Sequence, residues 1–187
     1  DMTTFSFHPV KTVTGGEGGA ILTDNEEYFK KLSLFRTHGI TKDPSEMSEE
    51  PEGIWYYEQQ ELGYNYRITD FQPALITSQM SKLDRFAARR KEIVARYNEV
   101  FAELPEIISQ KEIPQADTCR HLYIIQLDLE KLTCTRREFF DALAAENVQP
   151  QVMYSPVYWF PYYQKIGFKK GLCPKAEHLY SRIMCIP

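Results

Sequence analysis

Four of the chain's nine glycines fall within five consecutive positions: Gly15, Gly16, Gly18 and Gly19, with Glu17 between them. A residue without a Cβ tolerates positive φ and lets backbone approach closely, so this density dictates a tight turn or an anion cradle. The flanks read as short strands. Thr4–Phe7 is aromatic and β-branched, and Ala20–Leu22 is apolar. Between the first strand and the glycines stand Pro9 and Lys11. A lysine that leaves a strand through a proline corner is held in place, which chemistry requires and surface solubility does not. Taken bare, the same residues also allow an ordinary turn with a solvated lysine.

Beyond the second strand, Thr23-Asp24-Asn25-Glu26 predicts a reciprocal capping box for a helix carrying Tyr28, Leu32 and Phe35 and stopped at Gly39. Thr41 to Gln60 is longer than an ordinary loop and holds the aromatic trio Trp55-Tyr56-Tyr57, which predicts a lid, an interface arm or a mobile segment. Thr69-Asp70-Phe71-Gln72 predicts a second capped helix with Leu75, Gln79, Met80 and Leu83 facing inward. A longer helix from Arg85 to Leu104 follows, burying Ile93, Tyr97, Val100 and Leu104 and ended by Pro105. Tyr123, Ile125, Leu127 and Leu129 alternate as one face of a strand. Thr135 and Glu138 frame a further capping box, ahead of inward-facing Phe139, Phe140 and Leu143. Val148 to Tyr154 reads as extended, and Ala176 to Met184 as helical.

Composition excludes several classes. No apolar run approaches the roughly 20 residues that span a bilayer, and a net charge of −4 argues against nucleic-acid binding. The charge is uneven: Lys42 to Glu61 holds seven acids and one base, whereas the rest has 21 bases against 19 acids. An anionic ligand is therefore tolerable away from this loop and unwelcome against it. The four cysteines, Cys119, Cys134, Cys173 and Cys185, show no zinc-ligand spacing, so no metal is expected. Reduced thiols in a cytoplasmic protein are the default.

Ser6-Phe7-His8-Pro9-Val10-Lys11, followed by Thr14-Gly15-Gly16-Glu17-Gly18-Gly19, resembles the cofactor-lysine signature of the DegT/DnrJ/EryC1/StrS sugar aminotransferases. Gly63-Tyr64-Asn65-Tyr66-Arg67 with Ile68 to Gln72 resembles the family's Gly-x-Asn-x-Arg loop running into a helix. His121-Leu122-Tyr123 and Gln151 to Tyr158 resemble its small-domain strand and substrate-facing loop. The resemblance implies an α/β chain with the aspartate-aminotransferase fold (fold type I) of pyridoxal-phosphate enzymes. Residues 1–84 would form the end of the large cofactor-binding domain, and residues 85–187 a small α+β domain, incomplete at its end. The family's chains are about twice this length. Its aromatic stacker, its pyridine-nitrogen aspartate and its glycine-rich phosphate contacts would lie upstream of Asp1, so the chain reads as a C-terminal portion that is inactive alone.

The resemblance also implies roles. A lysine amine is almost wholly protonated at neutral pH, and imine chemistry needs the neutral form, which burial or a nearby cation can supply. Lys11 would carry pyridoxal 5'-phosphate and move protons during transamination. The Ser6 hydroxyl would contact the cofactor phosphate, and Asn65 would reach that phosphate from a neighbouring subunit, which implies a homodimer with shared active sites. Read from the residues alone, Ser6 is equally a strand hydroxyl bonded to nearby backbone, and Asn65 a left-handed turn residue. Arg67 suits bidentate recognition of a carboxylate or phosphate, or an ion pair with Asp70. Tyr154 and Tyr158 match positions that face the nucleotide sugar in relatives, where histidine is common. The acidic insertion and the Tyr154–Tyr158 sequence are most similar to the branch that makes pseudaminic-acid precursors, which aminates a nucleotide-linked 4-keto-6-deoxy sugar with glutamate as donor. Two alternatives stand beside it. One is a sugar dehydratase of the same fold, in which histidine replaces the lysine. The other is a non-catalytic structural or dimerisation module.

Overall fold

In the computed structural model, which describes residues 1–187, the glycine run is a turn. It joins β1 (Thr3–Ser6) to β2 (Gly19–Leu22) in an antiparallel ribbon with Thr3 opposite Leu22 and Ser6 opposite Gly19. Helix α1 (Glu26–Arg36) follows, capped by Asn25 rather than by Thr23. The Asn25 Oδ1 accepts the Tyr28 N–H at 3.0 Å, while the Thr23 hydroxyl accepts the Asn25 N–H and donates to the Asp1 carbonyl. The expected box fails because Asn25, two residues closer to the helix, is itself a strong cap.

The long acidic segment is ordered by its own polar groups. It opens and closes on a small ribbon, β3 (Ile40–Thr41) against β4 (Glu58–Gln59), with a short 3-10 helix at Pro44–Glu46 between them. Helix α2 (Phe71–Met80) then begins beside Thr69. Only half of the expected capping device forms there: the Gln72 Oε1 accepts the Thr69 N–H at 2.9 Å, but the Thr69 hydroxyl donates to the same oxygen instead of capping backbone.

Contacts divide the chain into two compact units, Asp1–Asp84 and Arg85–Pro187. The first has almost no apolar interior of its own, with Val13 its one buried large hydrophobic residue. The second is built on an antiparallel sheet, β5 (Ile107–Ser109), β6 (Tyr123–Leu127) and β7 (Ile183–Ile186), with β6 in the middle. Tyr123, Ile125 and Leu127 alternate into a core shared with Met184. Helix α3 (Leu83–Phe101) covers this face with Val94, Tyr97 and Phe101, and α4 (Arg136–Ala145) adds Phe139, Phe140 and Leu143. Of the predicted face of α3, Tyr97 packs inward as expected, but Val94 and Phe101 take the places given to Ile93 and Val100, which are exposed; Leu104, past the end of the helix, is exposed too. Leu129 lies beyond the end of β6 and is exposed as well. The capping box at Thr135 and Glu138 forms in full. After a short α5 (Pro161–Lys165) comes α6 (Pro174–Arg182), which stops where β7 begins, so the predicted final helix is partly strand.

The accessible surface totals 14284 Å². A folded monomer of this mass shows about 9,300 Å², and two separate domains of half the mass would together show about 11,200 Å². Roughly 3,000 Å² therefore remains even if the units are counted apart. Much of it is aromatic and aliphatic: Ile54, Trp55, Leu62, Tyr66 and Phe71 are all exposed in the first unit. No helix is long and apolar enough to cross a membrane.

Candidate active site

The stretch holding Lys11 is a closed excursion from the end of β1. Both backbone groups of Phe7 fix its base: its N–H donates to the Gly18 carbonyl at 2.9 Å, and its carbonyl accepts the Gly15 N–H at 2.9 Å and the Thr14 hydroxyl at 2.9 Å. Within the excursion the Lys11 N–H donates to the His8 carbonyl at 3.0 Å, closing a turn over Pro9 and Val10. Lys11 itself is partly buried. Gly16 and Gly18 take positive φ (84° and 125°), as a turn of this sharpness demands.

Helix α2 clamps this excursion from one side. The Gln79 side chain accepts the Thr14 N–H at 3.3 Å and donates to the Thr14 carbonyl at 3.1 Å, and the Gln72 amide donates to the Glu17 carbonyl at 3.1 Å. Between them Ile76 packs so closely that a Cβ on Gly15 would lie 2.9 Å from its Cδ1. Residues 72, 76 and 79 recur at helical spacing on one face. The sequence reading caught Gln79 but not Gln72 or Ile76, and it put Leu75 and Met80 inward as well; both are exposed. Two of the three true members are polar, so an apolar-periodicity search passes over them, although the spacing was there to be found.

The other expected site residues of this unit lie at defined positions. The Ser6 Oγ accepts the His8 N–H at a long 3.4 Å, which leaves its own O–H free to donate. Asn65 is extended and bridges Thr37, not a left-handed turn residue. Its neighbours fix the strand: the Tyr64 N–H donates to the Phe35 carbonyl at 2.7 Å, the Tyr66 N–H to the Arg36 carbonyl at 3.0 Å, and the Tyr64 carbonyl accepts the His38 N–H at 2.8 Å. The Tyr64 and Tyr66 rings stack with centroids 4.8 Å apart, on the side of the strand opposite Asn65. Gly39, at φ 70°, passes so near this segment that a Cβ would collide with the Glu61 carbonyl. Arg67 is exposed, joins none of the chain's ion pairs, and lines a cavity of about 350 Å³ with Lys42 and Tyr57. Ser6, Lys11 and Asn65 do not line that cavity.

Tyr154 and Tyr158 belong to the second unit and differ sharply. Tyr154 is 73% exposed. The Tyr158 hydroxyl donates to the Glu177 carboxylate at 2.7 Å and accepts the Cys173 N–H at 3.3 Å. The same carboxylate oxygen accepts the Trp159 indole N–H at 3.3 Å and the Gly171 N–H. Burial, and then the carboxylate beside it, push the Tyr158 hydroxyl up to about 12. In return the hydroxyl holds Glu177 below the ordinary carboxylate value of 4.5. Glu177, which sequence reasoning passed over, is thus the hub that ties the loop before α5 to the start of α6.

Comparison with known proteins gives consistent answers. A family model described as the DegT/DnrJ/EryC1/StrS aminotransferase family matches residues 1–187. The UDP-4-amino-4,6-dideoxy-N-acetyl-beta-L-altrosamine transaminase of Campylobacter jejuni is 37% identical over 187 residues, covering all of this chain and 47% of that protein. Among solved structures, Helicobacter pylori PseC, an aminotransferase involved in the biosynthesis of pseudoaminic acid, superposes with a TM-score of 0.85 at 27% identity, over 99% of this chain and 48% of that one. Spr1654 from Streptococcus pneumoniae, solved in a PMP form, gives 0.88 at 29% identity over 100% of this chain and 48% of its own; its PLP form gives 0.85. The chain spans about half the length of the curated relatives it matches.

Proposed function

Because the chain belongs to the DegT/DnrJ/EryC1/StrS aminotransferase family, we propose that it contributes the cofactor-bearing lysine and part of the substrate site to a pyridoxal-phosphate-dependent sugar aminotransferase. Residues 1–84 serve as the end of the large domain and residues 85–187 as the small domain. The observation that carries the reading is the clamped excursion: Lys11 is borne on a short loop fixed at its base by Phe7 and along its flank by Gln72 and Gln79. A nucleophilic amine needs such a mount, since its attack geometry is then set before substrate arrives.

The residues present fit the cofactor by their donor chemistry. Lys11 offers a side-chain amine, Ser6 a hydroxyl whose proton is uncommitted, and Asn65 an amide on a strand held by backbone bonds on both sides. Pyridoxal phosphate, when bound, supplies the electron sink that lets an amino group pass from a donor to a keto sugar. Lys11 Nζ would hold the cofactor, and its free amine would act as the general base that moves a proton at the donor's α-carbon. Ser6 and Asn65 donate to the phosphate, Asn65 from a second copy of the chain, so the working unit is a homodimer. Arg67 orients an anionic part of the substrate, free of any pairing with Asp70. Tyr158 is committed to Glu177 and holds the loop in shape, which leaves Tyr154 as the tyrosine presented to the nucleotide sugar. The substrate is a UDP-linked 4-keto-6-deoxy sugar on the way to pseudaminic acid, and glutamate is the donor, in the cytoplasm. Identity to the Campylobacter transaminase and superposition on PseC support that branch.

The test uses full-length protein reconstituted with pyridoxal phosphate. A visible absorption band that glutamate bleaches and that Lys11→Ala lacks is the expected result, with ¹⁵N passing from labelled glutamate to the sugar nucleotide. A band of undiminished strength in the Lys11→Ala protein would overturn the assignment, and a product lighter by one water would favour dehydration.

A further inference from the structure

The segment that presents Tyr154 is anchored at its two ends by devices of unlike kind. Upstream, Pro150 is fully buried and Gln151 pairs with β7: its N–H donates to the Cys185 carbonyl at 2.9 Å, and its carbonyl accepts the Cys185 N–H at 2.7 Å. That anchor is backbone and does not depend on side-chain identity. Downstream, the anchor is the Glu177 carboxylate. One of its oxygens, Oε1, accepts the Tyr158 hydroxyl at 2.7 Å, the Trp159 indole N–H at 3.3 Å and the Gly171 N–H at 2.6 Å. Tyr154 stands three residues past the first anchor and four before the second.

Little else holds the downstream end. Val157 and Phe160 are exposed, and the turn there is a 3-10 helix of three residues, Val157–Trp159. The Trp159 ring meets Tyr180 edge-on with centroids 5.5 Å apart, and the Lys170 ammonium stands 4.5 Å from the Trp159 ring centroid. The connection from α5 to α6 is loosely packed: a Cβ on Gly167 or Gly171 would meet nothing within 4 Å. Residues 147–187 carry five bases, Lys165, Lys169, Lys170, Lys175 and Arg182, against Glu177 as the one acid. Cationic surroundings favour the ionised carboxylate, and hydrogen bonds to an ionised acceptor are roughly twice as strong as neutral ones. Three separate pieces of chain therefore converge on a single anion.

We propose that Glu177 is a positioning residue for the nucleotide-sugar step: by fixing Tyr158, Trp159 and Gly171 it sets where Tyr154 stands, without touching the substrate itself. The proposal rests on the reading above that Tyr154 faces the nucleotide sugar. With the downstream anchor released, the segment samples other positions, and apparent affinity falls with the fraction of molecules that hold the competent one.

The test runs the two halves of the reaction separately in full-length protein reconstituted with pyridoxal phosphate. Glutamate bleaches the cofactor band, and the UDP-linked keto sugar then restores it. Glu177→Ala is expected to raise the KM of the sugar step about tenfold, the effect of losing hydrogen bonds to a charged group. The kcat of that step and the glutamate step should stay within about twofold of the wild type. Glu177→Gln keeps an oxygen acceptor on the same frame and should recover most of the loss. Tyr158→Phe removes one donor and leaves the carboxylate, so it should raise the same KM in the same direction; it serves as well if Glu177→Ala fails to fold. Because Glu177 acts through Tyr154, the double variant with Tyr154→Ala and Glu177→Ala should match Tyr154→Ala alone within about twofold in KM. An unchanged sugar KM in Glu177→Ala, equal slowing of both steps, or additive effects in the double variant overturns the proposal. A wild type whose band glutamate fails to bleach overturns the function itself, and the proposal with it.

Discussion

Replacing Gln79 with methionine removes both hydrogen bonds between helix α2 and Thr14 while keeping an unbranched side chain of similar length. The two bonds, at 3.3 and 3.1 Å, are partly buried. Their loss strips one backbone N–H and one carbonyl of their partner. A net contribution of about 0.5–1.5 kcal/mol per bond, with partial exposure limiting the penalty for the orphaned groups, gives about 1–3 kcal/mol for closure of the lysine excursion. That corresponds to roughly 5- to 150-fold in the local opening equilibrium. Amide hydrogen exchange in the full-length protein reads it directly. The Gly15 amide, bonded to Phe7, and the Gly16 amide, bonded to the Thr14 hydroxyl, should exchange faster by that factor. The amides of β6 in the other unit serve as the control and should not move. Unchanged exchange at Gly15 and Gly16 in a folded variant would refute the idea that α2 holds the lysine in place, and equal acceleration in β6 would show a global effect instead.

Three further outcomes rest on the packing and hydrogen bonds of the second unit and of the acidic segment. Leu127→Ala, at a position fully shielded from solvent, should cost about 2–5 kcal/mol in urea unfolding, whereas Leu129→Ala should cost about 1 kcal/mol or less; similar costs would contradict the observed end of β6. Glu177→Gln removes a carboxylate that raises the Tyr158 hydroxyl but leaves the larger effect of burial, so ultraviolet titration should show that tyrosine falling from about 12 yet staying above 10.0. Glu58 is held below its ordinary 4.5 chiefly by the Ser48 and Glu49 N–H groups, and Glu177 by the Tyr158 hydroxyl. Folded carboxylates so lowered add stability above pH 4.5 that is lost as pH falls through their folded values, so tryptophan emission from Trp55 and Trp159 should hold steady down to about that pH and change below it. A transition complete above it would reverse the sign.

Much of this architecture is written plainly in the residues, and the exceptions have physical causes. The glycine turn, the lysine excursion and the Thr135 capping box are local, and local chemistry declares itself. Strand β7 does not: Ile183-Met184-Cys185-Ile186 continues the apolar pattern of α6 without a break, and a four-residue apolar run carries no periodicity of its own. What makes it a strand is pairing with β6, a partner some sixty residues away. The phase error in α3 is of the same kind, because Ile93 and Val94 are equally apolar and only the sheet beneath selects between them. Of the proposed site residues, Lys11, Ser6 and Asn65 stand out through motif. Gln72, Gln79 and Glu177 act through hydrogen bonds to distant backbone or rings, and nothing in their immediate neighbours announces that.

The excess of accessible surface has a calorimetric consequence. Protein surface of average composition, roughly 55–60% apolar, changes heat capacity on covering by about 0.4 kcal/mol/K for each 3,000 Å². That is the heat-capacity increment of folding about thirty additional residues. A partner that covers this surface should therefore bind with a steeply temperature-dependent enthalpy, and the resulting complex should melt with a heat-capacity step larger than this chain's length alone accounts for.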